Sequence, residues 1–300
     1  MNRRKTYGAI AILLLPGLIL YTIAFIYPAI QTIYQSFFDW NGIFNVPLTF
    51  DGLNNYREML DNPNFYKSLK NVGLFIAGSF ILILPIALTL ALVVTSRMRG
   101  KRFFKVAFFI PSILPLTAVG LMWQFLLKSD GLVNKLLDMV GLSGLTHDWL
   151  GEPALAIYTV VIVNAWIYCG QNMIILSSGL VSIPDDIYEA ASLDGANGFQ
   201  KLYAITIPLM KETFKVFAVL AITQSIRVFG QVYVISGGGP NGATDVPTTL
   251  LYNEAFKFNN FGVGNSIGTF MIVAALVITV VMNFLTSPNK RSKKRGVKQA

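Results

Sequence analysis

Apolar residues in this chain fall in long unbroken blocks, not at the alternating or 3.6-residue spacing of a half-buried surface element. Six blocks reach the roughly 20 apolar residues that a helix needs to cross the hydrocarbon core. They lie at about 8–30, 71–95, 106–127, 154–178, 213–235 and 263–285. Alternating segments of ~10 residues, the signature of a membrane barrel, are not visible. The pattern predicts an all-α membrane protein of six transmembrane helices in one transmembrane domain, residues 1–300.

Proline recurs inside or beside the blocks, at Pro16, Pro28, Pro85, Pro111 and Pro115. In water an interior proline costs about 3 kcal/mol of helix stability, whereas in a bundle neighbouring helices satisfy the freed carbonyls. These prolines read either as kinks that leave room for a cavity or as packing geometry alone. The connections at 31–70, 128–153 and 236–262 are long, and the last opens with Ser236-Gly237-Gly238-Gly239-Pro240, where turns form easily. Loops of this size are either spacers or a docking surface for a partner.

Charge sharpens the picture. Only 13% of the 300 residues are charged, about half of what a soluble domain carries. Arg3, Arg4 and Lys5 precede the first block. Arg97, Arg99, Lys101, Arg102 and Lys105 fill the second connection, Lys201 and Lys211 the fourth, and the tail 288–300 is strongly basic. The other connections hold fewer: Arg57, Lys67, Lys70, Lys128, Lys135 and Lys257. Positive residues stay cytoplasmic in short loops, so both termini are expected in the cytoplasm. The net charge of +9 then reports topology and contact with anionic membrane lipid, not nucleic acid. The first block is too long for a signal-peptide core and lacks a small-residue cleavage site, so it reads as a retained span. The lone Cys169 and lone His147 supply neither a disulfide framework nor a metal site, and no catalytic constellation is present.

Polar groups deep in spans are costly and usually face the bundle interior or a cavity. In the fourth block Asn164, Tyr168 and Gln171 recur at i, i+4 and i+7. In the fifth, Gln224, Arg227 and Gln231 recur at i, i+3 and i+7, with Ser225 adjacent. Amides, hydroxyls and rings together suit a sugar. The alternative is packing glue between helices. Arg227, the one charge near the middle of a span, either meets a substrate carboxylate or phosphate or braces a helix interface, and bracing is the preferred reading.

One polar stretch, 182–210, interrupts the apolar chain. Ser182 and Asp185 have capping-box spacing, and Pro184 suits a first helical turn. Ile187, Ala190 and Ala191 share a face, Gly195 is placed to end the helix, and Asn197 with Gln200 opens a second one. Both helices are too short to stand alone, so they pack on something. Small Ala190 and Ala191 permit close approach, and Glu189 is available to a cation on whatever docks.

Glu189-Ala190-Ala191-Ser192-Leu193-Asp194-Gly195-Ala196, followed by Ile205-Thr206-Ile207-Pro208, resembles the EAA loop of the permease subunits of bacterial ATP-binding cassette importers. More closely, the chain resembles the maltose-type and glycerol-phosphate-type carbohydrate permeases. The support includes Leu15-Pro16-Gly17, Tyr27-Pro28, Phe109-Ile110-Pro111, Ile183-Pro184-Asp185-Asp186 and Gly238-Gly239-Pro240. Ile207 stands where the family usually has Leu.

The resemblance implies a type I importer permease fold in the bacterial cytoplasmic membrane. It implies a second homologous permease, two ATPase subunits carrying ATP and Mg, an extracytoplasmic solute-binding protein and a sugar cargo. The EAA loop would seat in the ATPase, with Glu189 as anionic contact and Gly195 setting the angle between the short helices. Ala190, Ala191, Asp194, Ala196 and Pro208 complete that contact. In the pathway, Asn164 falls where maltose-type permeases contact sugar. Tyr168 shares its face, Ile167 and Gln171 lie on the same helix, and Ser225 and Val228 hold comparable positions on the fifth helix. The chain has no Gly-x-x-x-x-Gly-Lys-Ser/Thr phosphate loop, so it is expected to be non-catalytic and to bind no cofactor. Alternative cargoes are a glycerophosphodiester, a uronate-containing saccharide or a polyamine. An ion-coupled transporter would want carboxylates inside the spans, and none is placed there.

Overall fold

The computed structural model describes residues 13–43, 45–96 and 98–286. The basic start at Arg3, Arg4 and Lys5, together with Arg97 and the basic tail, lies outside the described residues. Helices dominate. In chain order they are α1 (Leu13–Gln35), α2 (Asn54–Asp61), α3 (Pro63–Thr95), α4 (Lys101–Phe109), α5 (Leu116–Leu126), α6 (Leu132–Met139) and α7 (Pro153–Val181). Then come α8 (Asp185–Leu193), α9 (Gly198–Lys201), α10 (Lys211–Ile226), α11 (Gly230–Ile235), α12 (Pro247–Tyr252) and α13 (Phe261–Thr286). Two short antiparallel strands, β1 (Phe38–Asp39) and β2 (Thr49–Phe50), pair in the first connection.

Three prolines leave the same mark on their helices. Pro28, Pro85 and Pro208 are each preceded by a five-residue π turn: Thr22–Ile26, Ser79–Ile83 and Leu202–Thr206. A helical proline lacks its N–H, and its ring collides with the carbonyl four residues back. Those carbonyls belong to Ala24, Ile81 and Ala204, the middle residue of each turn. Widening the helix there to i→i+5 bonding relieves the collision without ending the helix.

Contacts divide the chain into two compact units, residues up to Tyr66 with Pro247–Leu276, and Lys67–Val246 with the chain from Val277. In the first unit the buried Asn55 of α2 donates to the carbonyls of Ser36 and Phe38, both at 3.0 Å. Ser266 of α13 donates to the Asn55 carbonyl at 3.3 Å, and Phe65 meets Phe270 edge-on at 5.1 Å.

The second unit is organised around α7, whose 29 residues make a rod of about 44 Å. One apolar cluster joins its start to Val72 and Phe75 of α3, Val119 of α5 and Val232 and Ile235 of α11. Another joins its end to Ala87 and Ala91 of α3 and Phe217 and Ala221 of α10. At Gly170 the α4 backbone comes so near that an added Cβ would sit 1.9 Å from the Phe108 carbonyl oxygen.

Among the described residues four helices, Leu13–Gln35, Pro63–Thr95, Pro153–Val181 and Phe261–Met282, are long and apolar enough to cross a bilayer. The block at 106–127 is not straight: Lys101–Ser112 and Leu116–Leu126 meet at 91°, with Pro111 and Pro115 at the corner. Counted as one broken span, the pair makes a fifth. The block at 213–235 is divided between α10 and α11 by a break at Arg227–Phe229. The two outlying pieces, α5 and α11, pack together. The Gln124 side-chain amide donates to the carbonyls of Val234 at 2.7 Å and Ile235 at 3.1 Å. Gly120 lies under Val234, and Gly230 under Leu116.

Candidate functional site

Two features of the second unit gather the residues singled out in the sequence: the polar loop after α7 and a cavity between α3, α7 and the broken α10–α11 segment.

α8 has nine residues, none of them buried, and a helix that short does not persist alone in water. Side-chain contacts hold it. Tyr188 packs on the cluster formed by α3, α7 and α10, and its hydroxyl hydrogen-bonds Thr206 Oγ1 at 2.9 Å. Lys201 Nζ donates to Ser192 Oγ at 2.7 Å. Asp185 and Asp186 occupy the first turn, beside the positive end of the helix dipole.

The expected capping box at Ser182 and Asp185 does not form. Pro184 is the N-cap and offers no side-chain bond, while the Ser182 hydroxyl turns back to the Gly179 carbonyl at 2.6 Å. At the other end Gly195 has φ +78°. Its N–H reaches the Ser192 carbonyl at 3.1 Å, and the Ala196 N–H reaches Ala191 at 2.9 Å. This pair of bonds closes the helix on a left-handed glycine. α9 opens with a reciprocal box: Asn197 Oδ1 accepts from the Gln200 N–H at 3.0 Å, and Gln200 Oε1 accepts from the Asn197 N–H at 2.8 Å.

The outcome is a fixed elbow with an exposed outer surface. Glu189, Ala190, Asp194, Gly195 and Pro208 are exposed, and Ala191 and Ala196 are half-buried. Glu189 and Asp194 make no ion pair among the described residues. Beside them Leu193 is 90% exposed, and Phe199 stacks on Tyr203 at 6.3 Å. Leu193 was not among the residues singled out in the sequence. An exposed leucine looks like a buried one until the helix roll is known. A second cavity, of about 610 Å³, is lined by Asp185, Tyr188 and Lys201 of this loop and by Thr95 and Ser96 of α3 and its end.

Seven of the eight expected pathway residues line one cavity of about 440 Å³: Asn164, Tyr168, Gln171, Gln224, Ser225, Arg227 and Val228. Ile167 is not in its lining. It is 3% exposed within the apolar cluster at the start of α7. Tyr168 accepts a hydrogen bond from Gln231 Nε2, which ties α7 to α11 across the cavity. Ser225 Oγ is engaged by the Ala221 carbonyl at 2.8 Å. The side chains of Asn164, Gln171, Gln224 and Arg227 have no hydrogen-bond or ion-pair partner among the described residues, so their bonding capacity is free for a guest. Phe75 and Ser79 of α3 and Phe217 of α10 also line the wall. These the sequence reading missed, although Phe75 and Ser79 stand at i, i+4 spacing and a serine inside an apolar block was a signal.

Known proteins resemble this chain along most of its length. Residues 83–288 match the model of the family described as binding-protein-dependent transport system inner membrane component. The chain is 34% identical over 271 residues to the probable ABC transporter permease protein YurN of Bacillus subtilis (strain 168), covering 89% of this chain and 92% of that one. It is 33% identical over 233 residues to the trehalose/maltose transport system permease protein MalF of Thermococcus litoralis, covering 77% and 78%. Among solved structures it resembles a bacterial alginate ABC transporter in complex with an alginate pentasaccharide-bound periplasmic protein. The TM-score there is 0.80 with 23% identity, over 94% of this chain and 95% of that one, a likeness of fold. A multi-pass helical bundle, a preformed elbow beyond α7 and a family match over most of its length lead to one conclusion: this chain belongs to the binding-protein-dependent transport system inner membrane components, the permease subunits of ABC importers.

Proposed function

We propose that the chain is one of two permease subunits of an importer for a sugar or oligosaccharide, and that the 440 Å³ cavity is its share of the route. The observation that carries the reading is the combination in that wall of free amides at Asn164, Gln171 and Gln224 with the rings of Phe75, Tyr168 and Phe217. A sugar presents hydroxyls around its edge and C–H surface on its faces, and this wall answers both. The carbohydrate permeases among the relatives, MalF of Thermococcus litoralis included, support the same cargo class. In this reading the elbow at 182–210 seats in an ATPase subunit, which supplies ATP and Mg, and both termini lie in the bacterial cytoplasm. A solute-binding protein, as named in the alginate complex, delivers cargo on the opposite side.

Arg227 favours a second reading within the same class. Arg227 lines the cavity and its side chain has no carboxylate partner among the described residues, so an acidic saccharide also fits.

The test is reconstitution in vesicles. The complete assembly should accumulate labelled sugar when ATP and loaded binding protein are supplied, and Asn164→Ala should alter substrate preference or stimulated turnover more than expression. Vesicles holding this chain alone should accumulate none. Uptake by the lone chain under a proton or sodium gradient would refute the proposal.

A further inference from the structure

The third connection, residues 128–153, was read from the sequence as a spacer or as a docking surface for a protein partner. Its geometry points to a different role. α6 has three faces, not two. At about 100° per residue, Val133, Asn134 and Leu137 fall on one side, Lys135 and Asp138 on a second, and Leu132, Leu136, Met139 and Val140 on a third. The first side faces protein: Asn134 is 3% exposed, and Val133 packs on the apolar cluster of α5, α7 and α11. The other two are open, yet one is charged and the other wholly apolar. Leu132 is 53% exposed, Leu136 51%, Met139 81% and Val140 69%.

The roll of α6 is locked. Asn134 Nδ2 donates to the carbonyls of Ser129 at 3.0 Å and His147 at 2.8 Å. Asn134 Oδ1 accepts from Trp149 Nε1 at 2.7 Å. One buried amide thus ties α6 both to the chain leaving α5 and to the chain entering α7, and the apolar strip cannot turn inward.

The level of α6 is set too. Only residues 127–131 separate it from the end of α5, a reach of at most about 22 Å. On α5 itself Leu121 and Phe125 are exposed, and Lys128 Nζ lies 4.7 Å over the Phe125 ring, the posture of a cation at the edge of an apolar layer. The apolar strip of α6 therefore lies within a short reach of the exposed apolar residues Leu121 and Phe125 of α5.

We propose that α6 is an interfacial helix. Leu132, Leu136, Met139 and Val140 sink into the acyl boundary of the leaflet on the opposite side of the bilayer from the α8 elbow, and Lys135 and Asp138 face water. A helix with separate oily and charged faces lies in this way at a membrane surface. Its partner is phospholipid, and it anchors the α5 end of the bundle in the bilayer.

Spin labels test this in the assembled importer, held in nanodiscs of phosphatidylethanolamine and phosphatidylglycerol on a transport-competent Cys169→Ala background. Labels at Leu136→Cys and Met139→Cys should collide severalfold more with oxygen than with a water-soluble nickel chelate, and labels at Lys135→Cys and Asp138→Cys the reverse. As a second measurement, Met139→Trp should add fluorescence that brominated phospholipid quenches. Nickel access at Met139 would mean open water and overturn the proposal. Shielding of Met139 from both reagents would mean a protein cover and overturn it equally.

Discussion

At the scale of single residues, the positions that matter most are those where atoms have no room. Gly170 is one. A methyl group there meets a backbone carbonyl, which cannot swing aside as a side chain does. Gly170→Ala should therefore force α4 off α7 and destabilise the subunit by about 1–3 kcal/mol or more. Gly73→Ala, with no atom within 4 Å of the added methyl, should leave stability level or slightly raised. Thermal unfolding of the two purified variants in one detergent checks the contrast. Nothing in the sequence distinguished these glycines, because the difference lies in a helix far along the chain. Gly195 was legible, since a glycine closing an acidic amphipathic helix has few other uses. Ile167 was not. The resemblance placed it in the pathway with Tyr168, its neighbour in the chain, but the packed roll of α7 sends it into the core while Tyr168 faces the cavity.

At the scale of elements, apolar runs predict where helices lie better than where they break. Pro111 and Pro115 stand at the corner between α4 and α5, where the sequence left open whether they kink the span or only shape its packing. The break between α10 and α11 had no such herald, since Ile226-Arg227-Val228-Phe229 contains no helix breaker and Gly230 is tolerated in a span. It is fixed by tertiary contacts, Leu116 against Gly230 and Gln124 against the last carbonyls of α11, which no local pattern encodes. The short helices of the loop behave differently, because their ends are written in local chemistry. Asn197 and Gln200 form the reciprocal box that their spacing suggested, whereas the similar spacing of Ser182 and Asp185 gave none once the serine hydroxyl found a carbonyl behind it. Asn197→Ala should cost about 1 kcal/mol of local stability. It should show as faster amide hydrogen exchange confined to residues 197–206, with α7 unaffected.

At the scale of the whole molecule, the helical membrane class and the family were legible, because block length reports the solvent and the loop motif marks the family. The contribution of each helix to crossing the bilayer was not, because length and composition cannot show a right-angled corner. The elbow also carries the prediction proper to the assembly. Glu189 is exposed on α8 with no ion-pair partner among the described residues, so Glu189→Lys should leave membrane insertion and thermal stability intact while lowering ATPase recovery in affinity co-purification. Undiminished recovery would remove Glu189 from the contact.

The amide of Gln124 has one last implication. The two carbonyls it holds close a helix of six residues, and in an oily layer an orphaned carbonyl has no water to turn to. Peeling α11 away from α5 strands both oxygens at once. The two stubs are thus pinned to each other by one side chain and are expected to shift as a single piece.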